Sequence, residues 1–161
     1  MRAGVKVTGA GSVQARLRYA ANTIPDHARR VMNQAAEKIV KLAKILVPED
    51  TTALRESIRI EKVRSTSGRL AINIIVGEKM VEMEDGRVID LNDYALIIHE
   101  NYSSMNPGER TLEKMRRYPQ YVIGEGFLTR AAEKNEPTMM NDLNQEVFKT
   151  IKAIFQGATG E

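Results

Sequence analysis

The stretch PDHARRVMNQAAEKIVKLAKILVPEDTTALRESI, residues Pro25 to Ile58, decides how the chain folds. Ala28, Val31, Ala35, Ile39, Leu42, Ala43 and Leu46 recur at steps of three and four, which stacks them on one helical face. Arg30, Gln34, Glu37, Lys41 and Lys44 fall on the opposite face. Pro25 suits a first helical turn, where its missing N–H is not needed, and Thr23 can cap. Val47-Pro48 stops the helix, because the residue before a proline is pushed out of the α region. Glu49 to Ile58 then reads as a short turn capped by Asp50 or Thr51 that leads into a strand. A long helix, a hard stop, a capped turn and a strand together dictate how a helix meets a sheet.

Upstream, Met1 to Gly11 holds three glycines and few apolar anchors, and reads as a flexible arm or an edge strand. It has no apolar core of the kind a secretory signal needs. Ser12 can cap a short helix over 13–21, with Val13, Leu17 and Ala20 or Ala21 inward, and Pro25 then restarts or kinks the chain into the main helix.

Downstream the period changes. Ile58, Ile60 and, with a register shift, Val63 suggest a strand, and Ser65-Thr66-Ser67-Gly68 a turn. Leu70, Ile72, Ile74 and Val76 alternate with Ala71, Asn73 and Ile75, which predicts a central strand ended by Gly77. Met80 to Glu84 and Arg87 to Leu91 flank Asp85-Gly86, a strong hairpin signal, and the many charges predict a hairpin that projects. Tyr94 to His99 reads as strand or short helix. Residues 101–126 read as a long polar loop with a turn at Asn106-Pro107-Gly108, and loops of that length are usually functional or mobile. Phe127, Leu128, Ala131 and Ala132 open a helix. The pattern resumes after Pro137 as Met140, Leu143, Val147, Ile151 and Ile154, so Pro137 is a first turn or a kink. Residues 156–161 read as a frayed tail. The expected architecture is a single α+β domain over 1–161: an antiparallel sheet of about four strands, packed by the long helix of the N-terminal half and by a C-terminal helix.

Length, 161 residues, suits one domain, and 42% hydrophobic with 28% charged residues is an ordinary globular balance. With 8 Met, no Trp and 5% aromatics, much of the core is aliphatic and adaptable. The absence of cysteine rules out disulfides, thiolate metal ligands and a cysteine nucleophile, and fits a reducing compartment. No apolar run approaches the roughly 20 residues of a membrane span. A net charge of +3 is too mild to mark a protein that lives on phosphate contacts.

Few residues point to chemistry. His27 and His99 are far apart and in no metal spacing. His99-Glu100 near Asp93 could form a hydrolytic or metal cluster, but a packed histidine ending an apolar run explains it more simply. Glu49-Asp50 after a proline resembles the acidic half of a metal nuclease site, yet no Asp or Glu is followed two positions later by Lys, and capping accounts for Asp50. There is no phosphate loop and no nucleophile elbow. Arg110, Lys114, Arg116 and Arg117 with Tyr118 and Tyr121 could grip nucleic acid, or could be a solvated loop that meets acidic protein surface. The reading is non-enzymatic, with no cofactor and no metal site.

Three ordered stretches carry a resemblance. They are Val47-Pro48-Glu49-Asp50-Thr51-Thr52-Ala53-Leu54-Arg55-Glu56-Ser57-Ile58 after a long helix, Tyr94-Ala95-Leu96-Ile97-Ile98-His99-Glu100 after a hairpin, and Gly126-Phe127-Leu128-Thr129-Arg130-Ala131-Ala132-Glu133 opening the last helix. In order and spacing the chain resembles the tail-component family of tailed bacteriophages typified by gene product 10 of phage HK97. Thr52 departs from the family, which often has glycine there.

The resemblance implies a structural virion protein of the neck or tail, assembled in the host cytoplasm: a ring-forming connector or tail-completion subunit. It implies a homo-oligomeric ring, hexamer or dodecamer, other neck, adaptor or tail proteins as partners, DNA passing through the lumen, and no membrane. The expected assembly contacts are Glu82, Glu84, Asp85 and Arg87 on the hairpin, His99 and Glu100, and Arg110, Lys114, Arg116, Arg117, Tyr118 and Tyr121 in the 101–126 stretch. Shortening the loop from Asn101 to Tyr121 is expected to spare folding and block assembly. The alternative is a nucleic-acid-binding or nuclease-like module using the basic residues of 110–121, with Asp50 and Glu49 or Glu56.

Overall fold

A computed structural model describes residues 10–49, 52–61, 72–77, 79–83 and 85–156. Helix α1 spans Ala10–Leu46, α2 Thr52–Ser57, strand β1 Arg59–Glu61, β2 Asn73–Ile75, β3 Met80–Glu82 and β4 Val88–Asp90. Helix α3 follows over Leu91–Asn101, a 3-10 turn over Tyr102–Ser104, α4 over Glu109–Arg117 and α5 over Phe127–Gln156.

Helix α1 buries the predicted face. Ala35, Ala36, Leu42, Ala43 and Leu46 are buried, while Arg30, Gln34, Glu37 and Lys41 are exposed. It is one helix with Pro25 inside it, and Ser12 lies within it, so the expected separate helix over 13–21 and the capped restart at Pro25 are replaced by a continuous rod. Likewise Pro137 lies inside a continuous α5. The two rods pair antiparallel: Gly124 N, just before α5, donates to Leu46 O at 2.9 Å, while at the other end His27 Nδ1 lies 3.0 Å from Glu146 Oε1. The inner stripe of α5 is Leu143, Val147, Thr150 and Ile154, whereas Met140 (47% exposed) and Ile151 (39%), both expected inside, face out. Thr150 takes an inward position because its hydroxyl donates to Glu146 O at 2.8 Å within its own helix and meets His27 Nδ1 at 2.9 Å.

The core gathers where the two rods end. Leu42, Ala43, Leu46 and Val47 pack with Leu54, Ile58, Ala95, Ile98, Tyr102, Phe127 and Ala131. Helix α3 settles the Tyr94–His99 ambiguity: Asp90 caps it, accepting from Asn92 N at 2.8 Å, and Leu91, Ala95 and Ile98 face inward at steps of four and three.

The strands form two separate two-stranded antiparallel sheets, β1–β2 and β3–β4, not one sheet of four. Ile60 faces Ile74 and Val81 faces Ile89, so each pair has a half-buried apolar side. The expected central strand pairs only with β1 among the described residues. The hairpin forms at Asp85-Gly86 as expected, with Met83 N donating to Arg87 O at 2.7 Å. The turn at 65–68, the capping residues Asp50 and Thr51, the arm up to residue 9 and the tail from residue 157 lie outside the described residues. Thr52 is the first residue of α2, a right-handed position that threonine adopts without strain, so the glycine common in the family is not needed here.

Residues 101–126 are not an open loop. They hold the 3-10 turn and α4, and Tyr102, Thr111, Lys114 and Ile123 are buried. Shortening the chain between Asn101 and Tyr121 would therefore remove packed side chains, contrary to the expectation that folding survives it.

Ser57 ties α2 to the sheet. Its hydroxyl donates to Leu54 O at 2.7 Å and accepts from Gly77 N at 3.0 Å, with 3% of the residue exposed. Ser57→Ala leaves a buried N–H without its acceptor, and is expected to cost about 2 kcal/mol in urea unfolding. A loss within experimental error would show that water replaces the hydroxyl.

Candidate assembly surfaces

Helix α4 builds one wall of a surface cleft. Asn106-Pro107-Gly108 turns the chain, Gly108 O accepts from Leu112 N at 3.0 Å, and the helix runs from Glu109 to Arg117. Glu109 at its start and Lys114, Arg116 and Arg117 in its last turn match the helix dipole. Thr111 and Lys114, one turn apart, are the residues it buries.

Both bolt α4 to the Val47-Pro48-Glu49 corner. Thr111 Oγ1 accepts from Glu49 N at 2.9 Å. Lys114 Nζ donates to Lys44 O at 2.8 Å and Val47 O at 2.7 Å, satisfying carbonyls that the end of α1 leaves open. Lys114 Nζ also lies 3.5 Å from Glu49 Oε2, and Arg55 Nη1 donates to Glu49 Oε1 at 2.7 Å. Burial pushes the Lys114 ammonium pKa down, and the Glu49 carboxylate beside it opposes that shift. The corner motif is thus a structural clamp: Glu49 holds one cation from α2 and one from α4.

Beside the clamp opens a cleft of about 410 Å³. Helix α4 lines it with Arg110, Glu113, Lys114, Arg117 and the following Tyr118. Lys44, Ile45, Glu49 and Arg55 form the other wall, so five cations face two carboxylates. Arg110 and Arg117 are exposed and have no ion-pair partner among the described residues.

The other expected contacts are distributed over the surface. Glu82 is exposed on the hairpin, and Glu84 lies outside the described residues. Asp85 and Arg87 pair at the hairpin tip at 2.6 Å, and Arg87 holds the exposed Asp85 carboxyl below its usual range. Glu100 and Arg116 are exposed. His99 stands edge-on to the buried Phe127 ring at 5.2 Å and lies 3.3 Å from Thr129 Oγ1, so it braces α3 against α5. Tyr121 packs on the core with Lys134 Nζ 4.6 Å above its ring. Lys114, expected to face a neighbour, is 7% exposed and its ammonium is engaged inside the chain. Of the expected cluster, Arg110, Lys114, Arg117 and Tyr118 line the cleft, joined by Lys44 and Arg55, which sequence reasoning did not connect with them, whereas Arg116 and Tyr121 are not among the lining residues.

Among the described residues no group of three or more His, Asp or Glu side chains is placed to hold a metal, and no helix is long and apolar enough to cross a membrane. Exposed apolar side chains include Met80 (66%) and Val88 (60%) on the hairpin, Leu96 (57%) and Ile97 (46%) on α3, Leu112 (39%) on α4, Val122 (74%) ahead of α5, and Phe148 (69%) with Met140 and Ile151 along α5.

Compared with known proteins, residues 12–98, more than half of the chain, match the family model HK97-gp10_like, described as "Bacteriophage HK97-gp10, putative tail-component". The match runs from inside α1 to most of α3, including the corner motif and residues Tyr94 to Ile98, and ends before α4 and α5. No curated protein and no solved structure matches the chain significantly.

Proposed function

We infer the function from one premise: the chain belongs to the HK97-gp10-like family of bacteriophage tail components. Its role is structural, in a tailed phage, among other phage proteins. It forms a ring at the head–tail junction, as a neck connector or tail-completion subunit, and acts by self-association and by docking to neighbouring neck and tail proteins without catalysis. The family match carries this reading. Two features of the surface support it. The charged hairpin exposes Met80 and Val88, and α3 and α5 carry exposed apolar side chains of the kind that subunit contacts cover.

Native mass measurement of the purified protein is expected to give a closed homo-oligomer, and imaging of intact particles to find it as a ring between head and tail. A protein that stays monomeric at high concentration and is missing from purified particles would overturn the proposal. The basic cleft also raises a nucleic-acid reading. Titrating binding to duplex DNA against salt separates the two, since a phosphate-binding module shows sub-micromolar affinity with a steep salt slope.

A further inference from the structure

We propose that the β3–β4 hairpin of one copy seats in the cleft beside α4 of the next copy. The proposal rests on the ring reading and specifies the contact that makes the ring. Three observations carry it.

The first is charge. The cleft walls carry five cations and two carboxylates, a net of +3. Glu49 is already held by Arg55 and Lys114, which leaves Arg110 and Arg117 as exposed cations at the opening. The hairpin segment 78–90 carries five carboxylates and two cations, a net of −3. One chain therefore bears a basic cleft and a hairpin segment of acidic sequence, and complementary charge steers partners together and sets register.

The second is shape. The cleft is a single depression of about 410 Å³, the size of a few side chains. A hairpin tip of Asp85-Gly86 with Glu82 behind it fits such a volume. A duplex presents charge along its whole length and calls for an extended basic track instead.

The third is that Met80, Glu82 and Val88 stand exposed on one face of the hairpin. Glu82 and Val88 stand opposite each other in the ladder, as do Met80 and Asp90, so the exposed Met80 and Val88 share a face with Glu82. Glu82 has no ion-pair partner among the described residues. Tyr118, half-buried at the cleft, offers apolar surface to that face. Because hairpin and cleft are different surfaces, the contact is head-to-tail, and head-to-tail contacts propagate into rings when their rotation closes.

The absence of cysteine gives a clean test. In the full chain carrying both Asp85→Cys and Arg117→Cys, mild oxidation should produce a ladder of linked subunits on a non-reducing gel. Either single variant should stop at dimers. Independently, Glu82→Lys with Asp85→Lys, or Arg110→Glu with Arg117→Glu, should weaken self-association about tenfold or more, and combining the four reversals should restore it. An oligomer by mass with no ladder and no rescue overturns the hairpin–cleft contact and leaves the ring reading standing. A chain that is monomeric by mass with no ladder overturns both. Sub-micromolar binding of a short DNA duplex at physiological salt by a chain that gives no ladder assigns the cleft to nucleic acid and overturns the contact.

Discussion

Lys114→Met is expected to lower the unfolding free energy by about 3 kcal/mol, seen as a fall in the urea midpoint with an unchanged slope. Methionine keeps most of the stem volume, so the loss is not a cavity effect. What disappears is the ammonium that donates to Lys44 O and Val47 O, leaving carbonyls at the end of α1 without a donor. Hydrogen bonds to charged donors are worth about 1.5–3 kcal/mol each, and relief of the buried charge offsets part of that. A variant as stable as the parent would show that burying the charge cancels what the bonds contribute.

The same residue gives a pH signature. Burial lowers the folded pKa of Lys114 below its ordinary value of 10.5. Between the folded value and 10.5 the unfolded chain binds more protons than the folded one, so this group makes stability rise with pH in that window. Its contribution is complete above the unfolded value and is lost as pH falls through the folded one. The alkaline rise should be present in the parent and absent in Lys114→Met.

Gly124→Ala is expected to cost about 2–4 kcal/mol, from backbone strain and overpacking together. Gly124 sits at φ +135, and a Cβ built there would lie 2.7 Å from Cδ1 of Tyr102. Tyr102 is 6% exposed in the core and has little room to retreat. The shift would also stretch the bond from Gly124 N to Leu46 O that joins the start of α5 to the end of α1. Gly86→Ala is the control. Its φ is +80 with nothing within 4 Å of the added Cβ, so it isolates the backbone term. Thermal unfolding of both variants should show the larger fall at Gly124. Equal falls would mean that Tyr102 yields without cost.

The inner face of α1, the stop at Val47-Pro48 and the Asp85-Gly86 hairpin are legible in the residues, because each rests on a local rule: helical spacing, the restriction before proline, turn chemistry. Helix α4 is not. Its buried positions are Thr111 and Lys114, both polar, while Leu112 is 39% exposed, so its apolar pattern points the wrong way. Those two residues are buried because they serve Glu49 and the end of α1, partners more than 60 positions away. The same distance hides the cleft. Four of its residues could be grouped from the 110–118 segment, but Lys44 and Arg55 join them only when α4 docks on the corner.

Sequence alone determined the inner face of α1, the corner between α1 and α2, the hairpin turn at Asp85-Gly86 and the ordered motifs that tie the chain to a phage tail-component family. Each depends on neighbours within a few turns of chain. Only the tertiary structure decided that the strands pair two by two, that Thr150 replaces Ile151 on the inner stripe of α5, and that a seemingly polar loop is a helix clamped by a buried lysine. The reason is physical. A polar side chain can be buried wherever a distant partner satisfies it, and local hydrophobic patterning carries no record of that partner.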